Sequence, residues 1–191
     1  MKVLKFGGTS VADSKSINKV ISILKDNVDP LFIIVSAFSG ITNLLQKCIV
    51  SKGKSVDGII NEIEQRHLEV IDNLSSLDKQ SSLKSFLKQK LNELEDILDA
   101  ISTINEVTDK TISKILTVGE ILSSNIIYEI LHQKGFDITY IDSRDLIFTK
   151  DFNNNQVLDS DKIKQGDKLL IDHKPEHDHL TLLVNKKEIA S

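Results

Sequence analysis

An α/β fold with a mostly parallel sheet, helices on both faces and an inserted helical hairpin is the architecture this sequence predicts. Three observations carry that reading. Residues 1–36 give strand, helix and strand signals in turn: Val3 and Leu4, then Ile17, Val20, Ile21 and Leu24 at helical spacing, then the continuous run Leu31-Phe32-Ile33-Ile34-Val35. Both strand signals run into small and hydroxylated residues, and in open parallel sheets that edge is where ligands bind. Residues 56–105 then change to two long apolar stripes with no strand signal, which suits an insertion better than a part of the sheet.

Composition narrows the class. A 40% hydrophobic and 27% charged content is that of a globular protein, and 191 residues are enough for one domain with a sizeable core. The net charge of −4, with both signs mixed throughout, gives no clustered basic surface for nucleic acid. Cys48 is the only cysteine, so no intrachain disulfide can form, which fits a reducing compartment. No apolar run approaches the roughly 20 residues of a membrane span, and the start has no basic-then-apolar signal segment. A cytoplasmic protein with no membrane partner is expected.

Taken in order, Met1 to Phe6 is the first strand, ended by Gly7-Gly8 and the hydroxyl pair Thr9-Ser10. Strand, glycine turn and helix bring backbone N–H groups close to an anion, and Lys5 could add a full charge. On the local pattern a phosphate cradle and an ordinary tight turn stand equal. Ser14 or Ser16 could cap the first helix, and Asp26 to Pro30 ends it. The apolar run at 31–35 suits a strand covered on both faces. Ser36-Ala37-Phe38-Ser39-Gly40-Ile41-Thr42 follows, and turn or capping chemistry is the plainer role for Ser39 and Thr42. A helix from about Thr42 to Ser51 comes next.

The hairpin carries Val56, Ile59, Ile60, Ile63, His67, Val70 and Ile71 on one stripe and Leu83 to Ile101 on the other, with Ser75-Ser76 and the polar Asp78 to Ser82 between. His67 on an apolar stripe is better read as a packed histidine than as a ligand. One helix is expected over about Asp109–Leu116 and another from Gly119-Glu120 through Leu131, ended by Gly135. Glu120 at such a helix start would sit well on the helix dipole; its functional alternative is an acceptor for a substrate ammonium group. A strand is expected over 136–141, a loop over 142–148, a turn-rich stretch at 152–155, a helix over about 161–171 and a buried strand at 180–184. His173, His177 and His179 invite a metal reading, but Pro175 and the charge density favour a solvated loop, and no metal site is assigned. Gly53-Lys54-Ser55 resembles the end of a Walker A loop whose upstream glycine is missing, and no G-x-G-x-x-G fingerprint or nucleophile triad can be assembled.

Three stretches together resemble the amino-terminal half of an aspartokinase, of the amino-acid kinase family: Lys5-Phe6-Gly7-Gly8-Thr9-Ser10, Val35 to Leu45, and Gly119-Glu120-Ile121-Leu122-Ser123-Ser124. The resemblance is good over about residues 1–149 and thins beyond, although Lys187-Glu188-Ile189-Ala190-Ser191 sits where the family has a Gly-Phe-Ile-Ala-Ser-like string. It implies the amino-acid kinase fold and ATP-dependent phosphorylation of the L-aspartate side-chain carboxylate, with Mg²⁺, as the first step towards lysine, threonine and methionine. Carried over by position, Lys5, Gly7 and Gly8, with Thr9 and Ser10 in the same loop, would hold the ATP phosphates and the transferring phosphoryl group. Ser36 and Thr42 would line the site between phosphate and aspartate, and Glu120 would bind the aspartate ammonium. The family's Gly-Arg-Gly-Gly-Ser-Asp-like segment, most of its adenine pocket and its regulatory domains have no counterpart in these residues. The expectation is one amino-terminal lobe over 1–191 that is inactive alone and is partnered by a carboxy-terminal half or by further copies. The alternative is a non-catalytic aspartate-binding module on the same fold.

Overall fold

The computed structural model describes residues 2–145 and, beyond them, the backbone of three short strands at 148–149, 157–158 and 181–184. Strand β1 (Lys2–Phe6) pairs in parallel with β2 (Leu31–Val35), from Lys2 opposite Leu31 to Phe6 opposite Val35. Strand β3 (Thr139–Ile141) runs in the same direction. The late strand β6 (Thr181–Val184) runs against both neighbours and lies between β2 and β3. The order β1-β2-β6-β3 therefore has three co-directional strands and one reversed one. The remaining strands, β4 (Phe148–Thr149) and β5 (Val157–Leu158), form a separate antiparallel pair. The readings at 152–155, 161–171, 172–179 and 187–191 lie outside the described residues.

Helix α1 (Ser14–Lys25) joins β1 to β2 and buries Ile17, Val20, Ile21 and Leu24, the stripe that its spacing predicts. Its cap is Asp13, whose carboxylate accepts from the Ser16 N–H at 2.7 Å; neither Ser14 nor Ser16 takes that role. The carboxylate supplies the stronger, charge-assisted bond to the orphan amide. In β2, Leu31, Ile33 and Val35 point to one face and join the main core, while Phe32 and Ile34 face the other way.

The next helix, α2 (Ile41–Val50), ends in a turn at Ser51–Ser55. There Gly53 has φ +72°, and a Cβ on it would lie 2.1 Å from the Leu98 carbonyl oxygen. The Gly53-Lys54-Ser55 string is thus a helix terminator pressed against the backbone at Leu98, not a phosphate loop.

The hairpin is α3 (Asp57–Leu74) and α4 (Leu77–Ile104). The turn is only Ser75-Ser76; the polar stretch 78–82 is already helical, because lysine and glutamine are good helix formers and nothing there breaks the chain. The turn is closed from outside, with the Gln133 Oε1 accepting from the Ser76 N–H at 2.8 Å and from both serine hydroxyls at 3.1 Å. Leu83, Leu87, Leu91, Leu94, Leu98 and Ile101 of α4 are all buried, at spacings of three and four.

Helix α5 (Asp109–Gln133) replaces the two shorter helices expected there. Thr108 caps it, and Gly135 at φ +81° follows its end. Gly119 does not break it, since a single interior glycine costs only about 1 kcal/mol and this one is packed against Ala37, Ile41 and Leu45. The Tyr140 hydroxyl, accepting from Asn125 Nδ2 at 3.0 Å, ties β3 to α5. No described helix is long and apolar enough to cross a membrane.

Candidate active site

The two strand ends that the sequence marks as ligand edges lie side by side. Beyond the last ladder pair, Phe6 with Val35, the Ser36 N–H donates to the Phe6 carbonyl at 3.2 Å. The chain then leaves β1 through a 3₁₀ turn over Gly8–Val11, and leaves β2 through Ser36–Gly40 into α2. Gly7 has an ordinary φ of −71° and open space where a Cβ would be. Gly8 is the glycine that geometry requires. A Cβ there would lie 3.1 Å from the Ala37 carbonyl oxygen and 3.6 Å from the Ser39 Cα, so its absence lets the two loops close on each other. The leading N–H groups of the 3₁₀ turn have no partner within it. Thr9 is exposed and Ser10 half-buried on that turn. Lys5 is exposed, one residue before the end of β1.

Helix α5 supports the second loop from beneath. The Ser123 hydroxyl donates to the Ser36 carbonyl at 2.9 Å. Gly119 faces Ala37 so closely that a Cβ would sit 2.9 Å from the Ala37 Cβ and 3.3 Å from the Ile41 Cγ2. Replacing Gly119 by alanine is therefore expected to destabilise the protein by about 1–2 kcal/mol despite the better helix propensity of alanine. Thermal melting checks this, and an unchanged or raised Tm would overturn the packing account.

Glu120 is 6% exposed and lies 11 residues into α5, counting from Asp109 to Glu120, far beyond the first turn where the helix dipole acts. The dipole reading of Glu120 therefore fails. Burial pushes its carboxyl up to about 7, against hydrogen bonds from its own N–H and that of Ala37. A carboxylate kept dry at the floor of a loop is poised to gain from a cation.

The structure thus brings together Lys5, Gly7, Gly8, Thr9, Ser10, Ser36 and Glu120 around two touching loops. Thr42 is half-buried in the first turn of α2, just past the second loop. Sequence reasoning gave Ser123 no role and did not connect α3 to this region. Yet Arg66 of α3 donates to the Ser39 carbonyl, and His67 stacks on Phe38 with ring centroids 4.9 Å apart. His67 is packed as expected, with Nδ1 donating to the Ile63 carbonyl at 2.7 Å. Among the described residues no cluster of three or more His, Cys, Asp or Glu side chains could hold a metal ion.

The model of the amino acid kinase family matches residues 1–176. The chain belongs to the amino acid kinase family. Within that family it resembles the amino-terminal portion of aspartokinases. It is 31% identical over 150 residues to the aspartokinase of Chlamydia pneumoniae, covering 78% of this chain and 31% of that protein. It is also 31% identical over 148 residues to a bifunctional aspartokinase/homoserine dehydrogenase of Buchnera aphidicola, covering 74% and 18%. The chain therefore spans about a third or less of the length of these relatives. Among solved structures, Escherichia coli aspartokinase III in complex with aspartate and ADP superposes with a TM-score of 0.65 over 77% of this chain and 32% of that one. At 24% identity that likeness concerns the amino acid kinase fold alone. Clostridium acetobutylicum aspartate kinase gives a TM-score of 0.56 at 25% identity, covering 77% and 31%.

Proposed function

We propose that this chain carries the aspartate side and part of the phosphate side of an aspartate kinase site. The reaction is ATP-dependent phosphorylation of the L-aspartate side-chain carboxylate to 4-phospho-L-aspartate, the first step of lysine, threonine and methionine biosynthesis, in the cytoplasm. The observation that supports this reading most is the buried Glu120 carboxylate beneath the loop that closes on Gly8. A dry carboxylate next to an anion-binding turn matches a substrate that is an ammonium at one end and a phosphoryl acceptor at the other.

In this reading a substrate carboxylate oxygen attacks the γ-phosphorus, the new O–P bond forms, and ADP departs with the electrons of the broken O–P bond. The acceptor is already ionised, so no side chain need remove a proton. Positioning and charge neutralisation carry the rate. Lys5 would neutralise charge on the transferring phosphoryl group, and the amides of the Gly7–Ser10 turn would hold phosphate oxygens. Glu120 would take the aspartate ammonium, and Ser36 and Thr42 would line the space between. The described residues do not form a Mg²⁺ site of their own. Mg²⁺ would enter with the nucleotide phosphates.

We further propose that residues 1–191 do not turn over alone, because they correspond to about a third of the related aspartokinases. A coupled ADP-release assay on the purified 191-residue protein is expected to show no aspartate-dependent rate, whereas calorimetry is expected to show aspartate binding. Formation of aspartyl phosphate by these residues alone would overturn the incomplete-site proposal. The alternative, a non-catalytic aspartate-binding module, predicts binding with no turnover even in the longest natural reading frame that contains this chain.

A further inference from the structure

The second loop is held residue by residue from two sides. Ser36 and Ala37 rest on α5, through Ser123 and Gly119. Phe38 and Ser39 rest on α3, through His67 and Arg66. The α3 grip falls on the part of the loop where one peptide plane sets the turn type. The Ile41 N–H donates to the Phe38 carbonyl at 3.0 Å, closing a four-residue turn, and Gly40 has φ +79° and ψ −9°. Those angles are the third position of a type II turn. Types I and II share the same end residues and differ mainly by a half-rotation of the central peptide, here Ser39–Gly40.

Arg66 occupies the space that selects between them. Its Nη1 donates to the Ser39 carbonyl at 2.8 Å, while Nη2 is anchored on the Glu62 carboxylate at 2.5 Å. Gly40 has the left-handed φ that favours glycine, and a Cβ on it would lie 2.6 Å from the same Nη1, so the guanidinium lies directly over this peptide. The Ser39–Gly40 peptide is trans, so its C=O and N–H point in opposite directions. With the Ser39 carbonyl turned to α3, the Gly40 N–H is turned away from it. That loop is the one Gly8 packs against, at 3.6 Å from a virtual Cβ to the Ser39 Cα.

We propose that Arg66, on the helical insertion, is a positioning residue that sets the Ser39–Gly40 peptide plane and so the donor face that the loop presents to the substrate. Its use for aspartate rests on the kinase reading above; its control of the peptide plane does not. His67 supports the same arrangement by fixing the Phe38 ring from the adjacent position of α3. The imidazole is fully buried and neutral at physiological pH, since desolvation pushes it down to about 4, and its Nε2 has no hydrogen-bond partner among the described residues. Lysine cannot replace Arg66 fully, because one ammonium does not span Glu62 and Ser39 as a planar fork does.

The test uses the isotopically labelled 191-residue chain with Arg66→Ala and Arg66→Lys. Without ligand, Arg66→Ala is expected to move the Ser39 carbonyl ¹³C resonance upfield and displace the Gly40 amide, with Arg66→Lys between it and the parent. Aspartate affinity is expected to fall about tenfold or more in Arg66→Ala and to recover partly in Arg66→Lys, the loss of one charge-assisted hydrogen bond. Unmoved Ser39 and Gly40 resonances in a folded Arg66→Ala protein would overturn the proposal. So would moved resonances with unchanged aspartate affinity. If the parent chain binds no aspartate, the kinase reading fails, and the resonances alone decide whether Arg66 sets the peptide.

Discussion

Lys5→Ala, made in the longest natural reading frame that contains this chain, is expected to lower kcat by about 10²–10³-fold, the usual loss when one preorganised donor to transition-state charge is removed. The fold should be unaffected. Lys5 is exposed at the end of β1, and exposed substitutions of this kind change stability by about 0.5 kcal/mol or less. The expected signature is therefore a collapse in turnover with an unchanged melting curve. Loss of a charge that acts only on the transferring phosphoryl group should lower kcat and kcat/KM together, with little change in the KM for aspartate. Retained turnover would overturn the role given to Lys5. A rise in the aspartate KM alone would move that role from the phosphoryl group to the substrate.

Glu120→Gln is expected to act on both binding and stability, with opposite signs. The amide keeps the shape but cannot pair with an ammonium, and removing one partner of a buried charge pair costs 2–5 kcal/mol, so aspartate affinity should fall about 10²-fold. Stability should change with pH in the other direction. The folded-state pKa of Glu120, about 7, lies above its ordinary 4.5 because burial disfavours the carboxylate. The protonated form is therefore favoured in the fold. This contribution is fully present below about pH 4.5 and is lost as the pH rises through about 7. Its size is about 3 kcal/mol, from roughly 2.5 pH units at 1.36 kcal/mol each. Urea unfolding at pH 5 and pH 8 should show that decline in the parent chain and a flatter profile in Glu120→Gln. Aspartate should bind more tightly as pH rises through 7, and Glu120→Gln should lose that rise. A parent chain with the same stability at both pH values would remove Glu120 as a dry carboxylate.

Much of this fold is legible in local chemistry. Ile17, Val20, Ile21 and Leu24 repeat at helical spacing and are the buried face of α1. Leu31 to Val35 reads as a covered strand and is paired on both edges by β1 and β6. The stripes on α3 and α4 mark a helical hairpin before any contact is known. The misreadings have a common cause. The stretch 78–82 is polar, which places it on a surface but does not end a helix. Gly119 can break a helix, yet α5 runs through it because Ala37 and Ile41 need the space. Asp13 outranks two nearby serines as a cap through its charge.

The α/β class and the helical insertion are legible in the chain, because they follow from periodicity and from residue types within a few positions of one another. What holds the second loop is set by contacts between distant elements. Ser123 meets Ser36 across 87 residues and Arg66 meets Ser39 across 27. Packing between elements likewise keeps Glu120 dry in the middle of a helix rather than solvated at its start. Desolvation and close packing are properties of the assembled core, set by what α3 and α5 place around a side chain. Nothing in the immediate neighbourhood of Glu120 or Arg66 in the chain encodes them.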